Sequence, residues 1–173
     1  MRAAEFWRTV VADHSSALEK LFELLEANGI RFCVIGGQGV NAYVEPLVSL
    51  DLDVVIVMNQ LEEALRVLSA EFQIQRFAHT INLLRPDSDL RIQIQTDARY
   101  SDFVTRSVEK PVLGMRMPVA DLRDILRSKI WAAMDERRRA SKRQKDLADI
   151  GRILEAYPDL RSEVPPEILS RLF

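Results

Sequence analysis

Apolar positions change their spacing several times along the chain, and those changes outline the expected elements. Ser16 followed by Glu19 reads as a capping box, after which Leu18, Leu21, Phe22 and Leu25 repeat at helical spacing. Asn28-Gly29 closes this helix with a pair that tolerates positive φ. Ile30 to Ile35 is dense in β-branched and aromatic residues and predicts a buried strand. Gly36-Gly37 ends it, and Gln38 to Tyr43 suits a short helix. Glu45-Pro46 breaks that helix, because the residue before proline is pushed out of the α region. Leu50 to Met58 is a second strand, apolar almost throughout except at Asp51 and Asp53.

Asn59 is an N-cap candidate for a helix with Leu61, Ala64, Leu65 and Leu68 on its inner face. Phe72 to Phe77 suits a strand. Ile81 to Leu84 and Leu90 to Gln95 read as a hairpin around the turn at 86–89. Its second arm alternates, with Leu90, Ile92 and Ile94 on one face and Arg91, Gln93 and Gln95 on the other. Tyr100 to Val108 is ambiguous, and Val112 to Val119, interrupted by Gly114 and Pro118, reads as a bent edge segment or two short strands. Asp121 caps a helix carrying Leu122, Ile125, Leu126, Ile130 and Ala133. A charged link over 135–143 leads to another helix with Leu147, Ile150, Ile153 and Leu154. Tyr157-Pro158 stops it and Pro165-Pro166 opens a last turn. The expected architecture is α/β (α+β): a core to about residue 120, then a C-terminal helical hairpin over 121–173, all in one domain spanning 1–173.

Composition narrows the class without naming a chemistry. The 173 residues, 47% hydrophobic and 29% charged, suit a soluble globular domain with a real core. A net charge of −2 does not mark the whole chain for nucleic acid or membrane. The first residues lack the apolar stretch of a secretory signal, and no segment approaches the roughly 20 apolar residues that span a bilayer, so a cytoplasmic setting is expected. The one cysteine, Cys33, sits in an apolar run and reads as a buried structural thiol. His14 and His79 have no companions at metal-ligand spacing, and Trp7 reads as core or interface.

The candidate chemistry begins at Asp51 and Asp53. Two residues apart in a strand, they point to one side of a sheet. Such a pair is costly to desolvate and stays wet or meets a cation. Gly36-Gly37 permits a tight turn and close approach of a ligand to backbone. Lys129 falls in the middle of an apolar helical stripe, where it must snorkel or pair with an anion. On the following helix, Lys142–Asp146 and Lys145–Asp149 have the i,i+4 spacing of solvated ion pairs. The basic run from Arg137 to Lys145 is either a solvated turn or a patch that steers a phosphate-rich substrate.

A strand ending in Gly36-Gly37, a short helix, and a strand bearing Asp51-Leu-Asp53 resemble the nucleotidyltransferase superfamily, and among it the minimal AbiEii/AbiGii toxin-like proteins. The resemblance continues through the segment around Lys129 and the Lys145-Asp146 to Asp149 stretch, over roughly residues 20–160. It implies a nucleotidyltransferase-type mixed sheet flanked by helices, with Asp51 and Asp53 as ligands of Mg²⁺ (or Mn²⁺). Gly36, Gly37 and Ser49 would meet the phosphates of an NTP, Lys129 its charge, and Lys145, Asp146 and Asp149 would line the cleft. The activity it implies is transfer of a nucleoside monophosphate to an acceptor hydroxyl of RNA, a protein or a small molecule. As the toxin of a toxin–antitoxin system, such a chain would have an antitoxin partner. Two departures stand out. The third acid of the superfamily is replaced by Gln93 or Gln95, leaving Asp97, of the same strand parity, as the candidate, and Leu47 stands where an arginine is usual. Glutamine brings no charge and cannot act as a base. The competing reading is therefore a catalytically inactive nucleotide-binding or protein-interaction module on the same fold.

Overall fold

The structure, a computed structural model, describes residues 16–173. Trp7 and His14 lie outside the described residues. Residues 16–27 are helical (α1), and Gly29, at φ 63°, takes the chain out of that helix. The elements that follow are β1 (Phe32–Ile35), α2 (Gly36–Asn41), β2 (Asp51–Ile56), α3 (Leu61–Leu68), β3 (Gln73–Arg76), β4 (Thr80–Leu84) and β5 (Arg91–Gln95). Next come β6 (Val108–Val112), β7 (Met115–Val119), α4 (Leu122–Met134), α5 (Ala140–Ala156) and α6 (Pro166–Leu172).

Seven strands form one mixed sheet in the order β3-β4-β5-β2-β1-β7-β6. β1 is antiparallel to β2 and parallel to β7, and β2 is parallel to β5. Strand parity then sorts the side chains into two cores. Phe32, Val34, Leu52, Val54, Ile81, Leu83, Ile92 and Ile94 point to the face packed by Leu18, Leu21 and Leu25 of α1 and Leu65 and Leu68 of α3. Cys33, Ile35 and Val55 point the other way, beneath Ile125, Leu126 and Ile130 of α4 and Leu147, Ile150 and Ile153 of α5. The expected helical hairpin is therefore a lid over one half of that second face. Among the described residues no helix is long and apolar enough to cross a membrane.

Several local expectations shift. The glycine pair does not merely end β1; α2 begins at Gly36 itself. Asn59 is not an N-cap. It lies inside a 3₁₀ turn, Met58–Gln60, and α3 starts without a side-chain cap. The amide of Gln60 instead accepts from the Arg31 N–H at 2.8 Å and donates to the Gly29 carbonyl at 2.9 Å, a tertiary demand that outbids local capping. Val112 to Val119 holds only the last residue of β6 and all of β7; the hairpin begins earlier, at Val108, and turns at Leu113 (φ 50°) and Gly114 (φ 83°), the turn that two successive positive φ values specify. Asp121 does cap α4, accepting from the Arg123 N–H at 2.9 Å.

Candidate active site

The half of the second sheet face that α4 and α5 leave uncovered is a cleft of about 480 Å³. Its floor is set by register. Ile35 pairs with Asp53, Asp53 with Gln93, and Gln93 with Asn82, so one row crosses four strands. An acid thus lies beside a neutral amide, followed by a second amide. Asp51 and Arg91 form the adjoining row. The opposite wall carries Lys129, Arg138, Arg139, Lys142 and Asp146.

Gly36 makes room for the acid. It holds φ 66°, and a Cβ placed there would fall on Asp53 Oδ2 and within 2.9 Å of its Cγ. Conformation and space both require glycine at this position. Gly37 has no such constraint; its neighbour is the Ser49 hydroxyl, which also accepts from the Asp51 N–H at 3.3 Å. The expected grouping of Gly36, Gly37, Ser49, Asp51 and Asp53 is therefore one local arrangement at the end of β1 and start of β2.

Burial raises the pKa of the Asp53 carboxyl above the ordinary aspartate range; Lys129 opposes that shift and Asp51 adds to it. A proton is held more tightly there in the folded chain than in the unfolded one. Stability therefore falls as pH climbs from the usual aspartate value through the raised folded value, and beyond that window the ionised group costs stability. Asp53→Asn is expected to raise Tm at neutral pH and to flatten this part of the pH–stability curve. Each kcal/mol regained lifts Tm by about 2–4 °C in a chain of this size. Thermal melts across the acidic-to-neutral range check it, and a lower Tm at neutral pH would contradict the assignment.

Asp51 is differently placed. Arg91 Nε lies 2.7 Å from one of its oxygens and Lys142 Nζ 3.9 Å from the other. The Arg91 side chain is 64% exposed, so this pair is a weak surface contact that an incoming cation can displace.

Lys129 is buried, and its ammonium lies 3.0 Å from Asp146 and 2.7 Å from Asp149. Asp146 also receives Arg138 Nε at 2.7 Å, and Asp149 receives Arg152 at 2.9 Å. The i,i+4 pairs expected on α5 do not form, because Asp146 and Asp149 turn inward to meet a charge from α4. Lys145 is exposed and outside the cleft lining, near enough only to lower the Asp53 pKa slightly. Asp97 does not join the floor. It lies past the end of β5, caps the turn Ala98–Tyr100 and pairs with Arg99 at 2.9 Å, which lowers its pKa.

Sequence reasoning missed Arg91, Arg138 and Lys142 as individual cleft residues, and Asn82 altogether. The alternation on β5 could have placed Arg91 with Asp51, since both share parity with the site. Asn82 carries a buried Oδ1 with no hydrogen-bond partner among the described residues, open to an N–H or O–H donor from whatever enters. No signal in its neighbourhood marked it.

Among the described residues no group of three or more His, Cys, Asp or Glu side chains is arranged to hold a metal ion. Two acids still fit Mg²⁺, which keeps several waters and is commonly held by one or two carboxylates together with substrate phosphates. Desolvation raises the pKa of Asp53, and a cation placed beside it would favour its ionised form. A three-acid centre does not fit.

The fold has relatives among solved structures. The antibiotic-resistance factor ANT(2'')-Ia aligns with a TM-score of 0.60 at 10% identity, over 87% of this chain and 92% of that one. An antigenic nucleotidyltransferase-like protein from Paracoccidioides brasiliensis gives 0.56 at 17% identity, over 93% and 92%. JHP933 from Helicobacter pylori gives 0.54 at 19% identity, over 94% and 72%. At these identities the likeness is one of fold. No curated protein sequence matches the chain. The family model described as "Nucleotidyl transferase AbiEii toxin, Type IV TA system" matches residues 45–171, which include Asp51, Asp53, Lys129 and the Asp146–Asp149 helix. On that match, set beside the cleft described above, the chain belongs to the AbiEii family of nucleotidyltransferases.

Proposed function

We propose that the chain moves a nucleoside monophosphate from an NTP to an acceptor hydroxyl, with Mg²⁺ held by Asp51 and Asp53. The observation that carries this reading is Asp53 itself, a half-buried carboxylate with a raised pKa, seated in a notch that only Gly36 allows and facing a basic wall. When bound, Mg²⁺ would neutralise phosphate charge and polarise the α-phosphorus. The chain's own residues do the rest. Gly36, Gly37 and Ser49 offer backbone and hydroxyl groups to the phosphates, while Arg138, Arg139 and Lys142 attract the polyanion. Lys129, already oriented by Asp146 and Asp149, adds positive charge from the wall facing the floor. In transfer, an acceptor oxygen bonds to the α-phosphorus as the bond to pyrophosphate breaks, and the acceptor's proton passes to water in the open cleft. Gln93 can hold the acceptor hydroxyl but cannot take its proton. The role in the cell that fits is the toxin of a cytoplasmic toxin–antitoxin pair.

Pyrophosphate release from each NTP with Mg²⁺ tests the proposal, beside an Asp51→Ala/Asp53→Ala control. Release by the parent chain and none by the control supports it; equal signals reject it. The second reading, a nucleotide-binding module without turnover, is favoured by one observation, the amide of Gln93 standing in register with Asp53. A metal-dependent thermal shift with NTP but no pyrophosphate would select it.

The same position yields a gain-of-function expectation. Gln93→Glu places a third carboxylate beside the pair, which should tighten Mg²⁺ or Mn²⁺ binding on the order of tenfold and lower Tm without metal through like-charge repulsion. Calorimetric titration of the metal measures the first effect. Unchanged affinity would show that position 93 does not reach the ion.

A further inference from the structure

Residues 44–50, between α2 and β2, form no helix or strand. Hydrophobic burial anchors only the start of the segment, where Val44 packs against the second core; Leu47 and Val48 are 58% and 61% exposed. Three side chains hold alternate carbonyls instead. Gln38 donates to the Ser49 carbonyl at 3.0 Å, and Asn41 donates to the Leu47 carbonyl at 2.6 Å while accepting from the Leu47 N–H at 3.0 Å. Arg152, from α5, donates to the Glu45 carbonyl.

Arg152 reaches further than the loop. Its guanidinium also donates to Asn41 Oδ1 at 3.0 Å and to Asp149 Oδ1 at 2.9 Å. Asp149 therefore gives one oxygen to Arg152 and the other to Lys129. An i,i+3 pair on an open helix surface is worth only about 0.2–0.5 kcal/mol. This one is 18% exposed on the arginine side, and the planar fork meets three partners on three elements.

We propose that Arg152 is a positioning residue that ties the 44–50 loop to the buried Lys129–Asp149 pair, so that seating of phosphate at Gly37 and Ser49 and the setting of Lys129 depend on one another. The loop carries Ser49 to Gly37 and delivers the chain into Asp51, so its position sets where the phosphate contacts stand. The coupling to phosphate rests on the nucleotide reading above; the tether itself does not.

Two variants separate the possibilities. Arg152→Lys keeps a cation for Asp149, yet a single ammonium cannot span Asp149, Asn41 and the Glu45 carbonyl. Arg152→Met removes all three contacts. Native-state hydrogen exchange is expected to show the Leu47 amide exchanging about tenfold faster in both, the change that loss of one charged hydrogen bond produces. In Arg152→Lys, Tm and exchange in β1 and α4 stay at parent values. If the parent chain turns over NTP, this variant raises KM about tenfold with kcat within about threefold, a split that partial unfolding would not give. Mg²⁺ with inorganic tripolyphosphate should slow Leu47 exchange in the parent and lose that effect in Arg152→Lys. Parent-like Leu47 exchange in Arg152→Lys overturns the tether. Equal protection by tripolyphosphate in both proteins overturns the coupling. A parent loop that ignores tripolyphosphate, in a chain that releases no pyrophosphate, points instead to failure of the nucleotide reading.

Discussion

Replacing Gly36 with alanine is expected to reduce pyrophosphate release by about a hundredfold or more, the scale on which a roughly 1 Å misplacement of a reacting group acts. Two costs arise from one methyl group. The backbone at φ 66° lies in the left-handed region, which costs an L-residue roughly 1–2 kcal/mol. The added Cβ also lands on Asp53 Oδ2, and the carboxylate cannot retreat sideways because Gln93 and Ile35 flank it in register. Asp53 must therefore turn toward Asp51 or leave the floor, and the two-acid cradle is lost in either case. Gly37→Ala is the matched control, since a Cβ there meets only the Ser49 hydroxyl at 3.7 Å. Activity should fall steeply in the first variant and much less in the second. Comparable activities would show that the notch around Asp53 does not matter to the reaction.

Lys129→Met is expected to be the more damaging change to stability. Removing one partner of a buried ion pair typically costs about 3–5 kcal/mol, because the remaining charge stays desolvated. Asp146 and Asp149 each retain one arginine, Arg138 and Arg152, so the lower end of that range applies. At about 3 kcal/mol, Tm should drop by roughly 6–12 °C. Adding Asp149→Asn to Lys129→Met should recover part of the loss, whereas Asp149→Asn alone should be destabilising. Additive effects of the two changes would argue against a shared charge network. The sign of the pH dependence also follows. Burial lowers the Lys129 pKa, but Asp149 and Asp146 outweigh it and the net shift is upward. The stabilisation is therefore complete below the unfolded lysine pKa of about 10.4 and fades only as pH rises through the higher folded value. Titration of the lysine therefore adds no pH dependence to the Lys129→Met defect from weakly acidic to weakly basic pH, but loss of its opposition to the raised Asp53 pKa makes the defect larger once Asp53 ionises.

Local chemistry was the legible part of the sequence. Asp121 as a cap, Gly29 as a helix stop, the alternation of β5 and the shared face of Asp51 and Asp53 each depend on spacing within a few residues, and each appears in the fold. What spacing could not supply was competition between near and distant partners. Asp146 and Asp149 had lysines four residues away on their own helix, yet a solvated i,i+4 pair is worth tenths of a kcal/mol, and a buried lysine on α4 had a larger need. Asn59 falls inside a 3₁₀ turn instead of capping α3, and its neighbour Gln60 ties that turn to Gly29 and Arg31 in the link between α1 and β1. The stand-in for the third acid was also a question of register. Parity allowed Asp97 to share a face with Gln93, but the strand ends at Gln95 and the chain turns away before Asp97 can return.

Cys33 gives the molecule an internal gauge of its own opening. It is the chain's one cysteine, fully buried on β1 under the helical lid, and burial pushes its thiol up to about 12. Since only thiolate reacts, and no reagent reaches it in the closed chain, alkylation must wait for the lid to lift or the sheet to part. With reagent in excess and a reactive free thiol as reference, the labelling rate reports the free energy of that opening without any engineered probe. The alkylation rate should therefore rise in Lys129→Met in step with its lost stability.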